Sequence, residues 1–504
     1  MHSVVNSDLI QLSDLSGLTN DQIGYSVAVD GSYAVVGAPG ISGDPGMIYL
    51  YKQDASGDWN KVDDVESSLS ANIGYAYNVA IAGDIVAVSL PDLTGTDGNV
   101  WGEVHTYEID SSDNLANKQT IAGPRTATSP GPDYDENFGR SILLKIINGT
   151  TTLFASSKAH FDTADGSPQP ANIRIFQYNG TGWDAELTHL DPSLNLRGGI
   201  SDEDHGFGCD MDYANGYLIV GAKDGNQAVL YQLDNSFAVL SSLIIDGSFG
   251  SSFGNSVAID GSNVIIGDKA GGNAYIYDLT GVLDISLSDA DTHDSFGASV
   301  EIYKNIAIVS SAGDTDSDNS GGSVYVFKEV GGTWSEIYNM IPADLSDGDN
   351  FGFAVAMSDY TLMIGANYDE APDGSNNSGS VYMMDLSPTA PPLADLSLNV
   401  DEDSSNNSLQ LGEETHLADS VTYTITNGPS SGSASITDNQ LSYTPTGDFS
   451  GSDSIDINAS ITDVDSNVLT STETIEITVA NINDAPVANS ASKSTPEETS
   501  LPIT

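Results

Sequence analysis

Along nearly the whole chain, apolar and polar residues alternate in short runs separated by Gly, Asp, Asn and Ser. A period of two is that of strands with one buried face, and helix signals are nearly absent. The strands recur in a fixed order. "IGYSVAVDGSYAVVGAP" at Ile23 to Pro39 is written again as "FGNSVAIDGSNVIIGD" at Phe253 to Asp268. Aligned on the Ile-Gly or Phe-Gly pair, the chain holds seven copies, starting at Ile23, Ile73, Phe138, Phe207, Phe253, Phe296 and Phe351. Each continues with a second apolar strand ("AVVGAP", "VIIGD", "LMIGAN"), a variable loop, a third strand ("GMIYLYK", "GSVYVFK", "GSVYMMD") and often a fourth begun by Trp ("DWNKVDD", "TWSEIYNM").

Four strands per unit, repeated at intervals of 43 to 69 residues, predict the blades of an all-β propeller, because one twisted sheet cannot bury both faces without neighbours. The seventh copy lacks its last strand, since "GSVYMMDLS" runs into "PTAPP". The missing piece lies at the other end: "SDLIQLSDLSGLTNDQIGYS" matches "SEIYNMIPADLSDGDNFGFA" at Ser335 to Ala354. The N-terminal strand is therefore expected as the outer strand of the last blade, closing a seven-bladed β-propeller over residues 1–387.

Composition adds constraints. The 504 residues carry 72 acidic and 14 basic side chains, a net charge of -58. That balance sets aside nucleic acid and anionic membrane as partners and points to salty, divalent-rich surroundings. Most of the acids read as a solvated surface. A single cysteine, Cys209, permits no intrachain disulfide and reads as a small hydrophobe on a strand. No apolar run is long enough to span a bilayer, and the start "MHSVVNSDLI" lacks signal-peptide character, so the chain reads as an excerpt from a longer exported protein.

Phe-Gly followed by "VVGAP" at Val35 to Pro39 resembles the FG-GAP repeat of integrin α-subunit propellers and bacterial surface proteins. One departure matters. Blades of that family that bind calcium carry an Asp-rich loop between the first and second strands, whereas here that link is a bare turn such as "DGSN" or "KN", so the family's ligands do not transfer.

The acids cluster instead between the second and third strands, on the rim shared with the links between blades. These loops are long in blades two, three, six and seven and short in four and five ("AKDGNQ", "DKAGGN"). In "DTDSDNSGG", Asp314, Asp316 and Asp318 alternate before Gly321, an arrangement that either wraps oxygen ligands round calcium or forms a solvated acidic turn. Asp162 with Asp165, Asp92 with Asp97, and Asp369 with Asp373 read first as ordinary turns. On the same rim, Trp101, His160, Phe161 and Tyr368 are placed to stack on a sugar ring or grip a side chain, or else to cover the loops' own cores.

After a Pro-rich linker at 388–392, alternating Thr- and Ser-rich strands predict a β-sandwich over 393–485. "YTPTGDFSGSDSIDI" and "NINDAPVA" resemble the immunoglobulin-like or cadherin-like tandem repeats of large bacterial adhesins, and 486–504 reads as the start of a further, truncated repeat. That resemblance implies calcium between repeats, held by Asp463, Asp465, Asn481, Asn483, Asp484 and Glu497 or Glu498.

HExxH, CxxC and P-loop patterns are absent, and the seven histidines show no ligand spacing. The leading expectation is a non-enzymatic binding module of an extracellular bacterial adhesin, its propeller reading a glycan or surface protein with calcium's help. The alternatives are a spacer in a surface fibre and, behind it, a polysaccharide-degrading enzyme.

Overall fold

The computed structural model describes residues 9–12, 21–39, 45–68, 74–94, 100–123, 137–158, 160–161, 168–169, 171–191, 206–247, 252–288, 295–313, 321–369, 378–387, 396–405, 407–411, 421–437, 439–462, 468–483 and 494. The chain divides into two compact units, Met1–Ser387 and Pro388–Thr504.

In the first unit, seven four-stranded antiparallel sheets follow one another. Blade one comprises Ser26–Asp30, Tyr33–Ala38, Met47–Gln53 and Trp59–Glu66, from the inside outward. The innermost strands of blades two to seven are Val79–Ala82, Ile142–Ile147, Phe207–Ala214, Phe253–Asp260, Phe296–Tyr303 and Phe351–Ser358. Each inner strand packs against the next, and that of blade seven packs against that of blade one, so the ring is closed. Blade seven takes its outer strand from the N-terminus, where Ile10 pairs with Met383 and Gln11 with Tyr382. Leu12 follows into the interior, 5% exposed.

The Phe-Gly pair has a separate reason for each residue. The side chains of Ile23, Phe138, Phe207, Phe253, Phe296 and Phe351 are 0 to 1% exposed, each worth about 2–3 kcal/mol of burial. The glycine that follows has positive φ, +86° at Gly254 and +87° at Gly297, and its carbonyl presses on the second strand of the preceding blade. A Cβ on Gly221 would lie 2.1 Å from the Gly254 oxygen, on Gly267 2.3 Å from that of Gly297, and on Gly365 2.0 Å from that of Gly24. The glycine of "VGA" and the glycine of Phe-Gly are thus two halves of one backbone contact between neighbouring blades.

An inner strand has a strand partner on one edge only, so its other edge needs donors and acceptors from elsewhere. Polar side chains of the preceding blade supply them. Asp210 accepts from the Ser256 hydroxyl and the Val257 amide, both at 2.9 Å, and Asp212 accepts from Ile259 N–H at 3.0 Å. Ser256 Oγ takes the Val300 amide at 3.1 Å, and Ser299 Oγ takes that of Val355 at 3.3 Å. Asp30 caps Gly83 at 2.6 Å, and Asp260 caps the Lys304 amide.

On the opposite rim, one acid or amide organises the hairpin between third and fourth strands in five blades. Oδ1 of Asp54 accepts from Ser56 and Asp58, that of Asp110 from Ser112 and Asn114, and that of Asn179 from Thr181 and Gly182. Asp234 and Asp278 repeat the pattern with Ser236 and Ala238, and with Thr280 and Val282. Hydrogen bonds to the charged form hold the carboxyls of Asp54, Asp110, Asp234 and Asp278 below their ordinary values. These acids, read from composition as surface charge, are turn formers.

The second unit is a sandwich. One sheet orders Ser397–Asp401, Val468–Ala480, Gly451–Thr462 and Val421–Asn427, the first two strands parallel, and the other orders Asn407–Gln410, Gln440–Pro445 and Gly432–Thr437. Ile455, Ile457, Ile475, Ile477 and Tyr443 fill the space between them. Asp453 fixes one end: its carboxylate accepts from the amides of Ser430, Ser431 and Ser454 and from the Tyr443 hydroxyl, at 2.8 to 3.1 Å. Burial acts to raise this carboxyl's pKa, but the amides outweigh it and hold it below the ordinary value.

Two outcomes follow. Gly267→Ala, which drives a methyl into a neighbouring carbonyl, should lower propeller stability by about 2–3 kcal/mol in urea denaturation. Asp453→Ala should lower sandwich stability by about 2 kcal/mol at neutral pH. Because the folded-state pKa of Asp453 is depressed, its contribution is present above the unfolded value near 4 and vanishes as pH falls through the folded one, so wild type and variant should converge in acid.

Candidate functional site

The inner strands leave a cavity of about 420 Å³ along the ring axis, within the size range of small-molecule sites. Its character is set by the residue after each Phe-Gly or Ile-Gly pair. In the same register this position is Tyr25, Tyr77, Arg140, Cys209, Asn255, Ala298 and Phe353 in blades one to seven; in blade two Tyr75-Ala76, two residues beyond Ile73-Gly74, takes the pair's place, with Tyr75 buried and the Ala76 carbonyl against Gly37. The ring is therefore lopsided.

Blades seven, one and two bring three aromatic rings together at the mouth. Tyr25 lies 4.9 Å from Phe353 and 5.1 Å from Tyr77, centroid to centroid, both pairs tilted. All three side chains are half-buried, with part of each open to the cavity. Burial, then Tyr77, and further the nearby Tyr368 and Asp92, push the Tyr25 phenol well above its ordinary pKa, so it stands as a neutral hydroxyl. On the other side the mouth is small and polar. Cys209 donates to Gly254 O at 3.1 Å, and burial raises its thiol to about 11, which leaves it protonated.

Below the mouth the cavity wall carries charge. Lys145 Nζ lies 2.9 Å from Asp212 Oδ1, and Glu301 is within electrostatic reach of both. Burial raises Asp210 to about 6 despite the hydrogen bonds it accepts. Burial, with Asp212 and Asp210 nearby, also lifts Glu301 well above the ordinary carboxylate range against the opposing pull of Lys145.

Of the residues singled out in the sequence, Tyr368 sits on the rim, 37% exposed and close enough to Tyr25 to act on its titration. Asp92 is exposed and accepts from Asn137 Nδ2 at 3.0 Å. Trp101 is 4% exposed, buried instead of facing solvent. Asp369 is 6% exposed and accepts from the Tyr382 hydroxyl at 3.0 Å, which makes it an internal anchor of blade seven. His160 and Phe161 form a two-stranded ribbon with Pro168–Gln169. Asn481 and Asn483 are exposed just beyond the last sandwich strand, where the Ile482 amide between them donates to Glu402 Oε1 at 2.6 Å. Asp97, Asp162, Asp165, Asp314, Asp316, Asp318, Asp373, Asp463, Asp465, Asp484, Glu497 and Glu498 lie outside the described residues. Among the described residues no cluster of His, Cys, Asp or Glu is placed to hold a metal ion.

Sequence reasoning missed Tyr25, Tyr77, Phe353 and Glu402. Tyr25 and Phe353 were accessible from the alignment as the residue after the Ile-Gly or Phe-Gly pair, whereas Tyr77 falls two residues out of step with it, because the structure uses Tyr75-Ala76 in place of Ile73-Gly74. Glu402, in "VDEDSS", has its counterpart in the "PEETS" near the C-terminus.

Residues 10–51, 282–327 and 334–384 match the model of the FG-GAP repeat, and residues 388–478 match that of a bacterial Ig domain. Each FG-GAP match begins in, or one residue before, the outer strand of one blade and ends within the third strand of the next, so the sequence repeat is offset by one strand from the structural one. The first match starts at Ile10, in the strand that closes the ring. No curated protein matches the chain. Both repeat types are non-catalytic and typical of extracellular or surface proteins, and no helix among the described residues is long and apolar enough to cross a membrane.

The Asp210 carboxyl yields a pH prediction. Its folded pKa, about 6, stands above the unfolded value near 4, so the stability it contributes is full below the unfolded value and lost as pH rises through about 6. Denaturation across that window should show wild type losing on the order of 2 kcal/mol more than Asp210→Asn.

Proposed function

We propose that the propeller is the ligand-reading head of an extracellular adhesin and that its ligand is a glycan seated at the channel mouth. The observation that carries this reading is the arc of Phe353, Tyr25 and Tyr77, three rings from consecutive blades opening onto a cavity of about 420 Å³. Aromatic faces stack on the apolar face of a pyranose ring, and the neutral Tyr25 hydroxyl adds a donor beside it. Tyr368 extends the surface toward the rim loop of blade seven. Net charge of -58 favours a neutral or cationic glycan over a sulfated or uronic one.

Calcium enters in two places under this reading. Asp314, Asp316 and Asp318 would hold it on the loop of blade six, shaping the rim. In the sandwich, the nearly buried Glu402 stands against the Asn481–Asn483 segment, and this oxygen-rich set, with Asp463, Asp465 and Asp484, suits a hard cation. Such an ion would stiffen the junction to Glu497 or Glu498 in the next repeat.

The test is binding of the whole chain to a broad glycan array, with millimolar calcium and with chelator. Hits are expected, weakened about tenfold by Tyr25→Ala or Tyr77→Ala. Silence from folded protein, or hits untouched in the Tyr25→Ala, Tyr77→Ala double variant, would remove the mouth as a glycan site.

A further inference from the structure

The inner strands close their free edges unequally. Asn78 and Ser141 give their carbonyls to the second strand, at the Ser89 and Ser156 amides, both at 2.9 Å. By alternation Val79, Ile81, Ile142 and Leu144 turn N–H and C=O toward the axis, as do Val27 and Val29 in the matching register of blade one. In blades four to seven such amides are taken. Asp210 accepts from Met211 and Val257, Asp212 from Tyr213 and Ile259, Ser256 from Val300, Glu301 from Ile302 and Ser299 from Val355, with Met357 the exception. In blades one to three none of the six N–H groups makes a hydrogen bond among the described residues.

The register gives the cause. Val257 and Ile259 find acceptors in Asp210 and Asp212 of the blade before. At the position of Asp210, blades seven, one and two carry Ala354, Ser26 and Asn78, and at that of Asp212 they carry Ala356, Ala28 and Ala80. The alanines offer no acceptor, and the two polar side chains are turned to donate, Ser26 to the Ala76 carbonyl at 3.0 Å and Asn78 to that of Arg140 at 2.6 Å. The side chains of the six open residues are buried in the cores between blades, so what they bring to the cavity is backbone. This bare wall starts two residues, about 7 Å, below Tyr25 and Tyr77. Across the axis the wall carries the carboxylates of Asp210, Asp212 and Glu301, and Lys145 of blade three is engaged by Asp212 at 2.9 Å.

A channel with open donors on one side and carboxylates on the other fits a group that is polar in the same sense. In a trans secondary amide, C=O and N–H point in opposite directions. A carboxylate would turn acceptors on the acids, and an ammonium would turn donors on the amides. We infer that the sugar at the mouth carries an acetamido group, its C=O on the Val27 and Val79 amides, its N–H toward the carboxylates and its methyl against Tyr25 and Tyr77. The inference rests on the glycan reading and narrows it to N-acetylated sugars. Such a group is neutral, in keeping with the net charge of -58.

The whole chain would be offered sugars that differ only in an acetamido or a hydroxyl group at one carbon, N-acetylglucosamine against glucose and N-acetylgalactosamine against galactose, within a broad array. The acetamido member of a pair should bind about tenfold tighter. Equal binding, or preference for the hydroxyl member, would overturn the assignment and leave the glycan reading standing. Silence of folded protein on every spot removes that reading and the assignment with it. Ser26→Asp combined with Ala354→Ser gives the Val79 and Val27 amides the acceptors that Val257 and Val355 have, and should bring the preference to within about twofold. Undiminished preference in the folded double variant would put the acetamido group elsewhere and overturn the inference. Should that variant fail to fold, hydrogen exchange of wild type decides: the acetamido sugar should slow exchange in Ser26–Asp30 and Val79–Ala82 and leave Phe207–Ala214 unchanged, and binding without that slowing would overturn the inference equally.

Discussion

Neighbouring blades meet backbone to backbone where two glycines face each other, and the rest of the propeller depends on that contact. The Gly254 carbonyl lies where a Cβ of Gly221 would be, and the same holds for Gly297 with Gly267 and for Gly24 with Gly365. This close approach lets the preceding Phe sink into the space between blades, and it brings inner strands near enough for short side chains to bridge them. Ser, Asn and Asp at the bridging positions have the right reach, whereas longer side chains would hold the strands apart. The repeated motif encodes a spacing between blades as much as a fold within one.

That physical basis explains what was legible in the sequence. Apolar alternation gives the strands, and Phe-Gly with its partnering glycine gives the repeat, because both have to recur wherever blades meet. Closure by the N-terminal strand was legible for the same reason: Ile10–Gln11 stands before its Ile-Gly pair as the outer strand of blade six stands before Phe351-Gly352. The candidate site was much less legible. Tyr25, Tyr77 and Phe353 are far apart in the chain and become an arc only when the ring brings blade seven to blade one. Lys145 looks like an ordinary strand lysine until the register shows it standing where Asp30 and Asp260 stand in other blades.

The acidic composition reads differently once its members are placed. Asp54, Asp110, Asp234 and Asp278 shape hairpins, Asp30, Asp210, Asp212 and Asp260 bridge blades, Asp369 anchors Tyr382, and Asp453 locks one end of the sandwich. In each case a carboxylate collects backbone amides or hydroxyls that would otherwise lack partners, work that a short acceptor with two oxygens does well. A chain with 14 basic residues has few ion pairs to form, so its acids find stability in amides instead.

The two sectors of the channel illustrate how a repeat protein acquires individuality. Blades must agree wherever they touch, and the glycine contacts and bridging side chains leave little room for variation there. Positions that face the axis differ from blade to blade, so aromatic rings gather on blades seven, one and two while charge gathers on three, four and six. The ring geometry converts those unrelated substitutions into adjacent surfaces of one channel. A change at Tyr25 alters the wall of the channel, whereas a change at Gly267 alters the contact between blades.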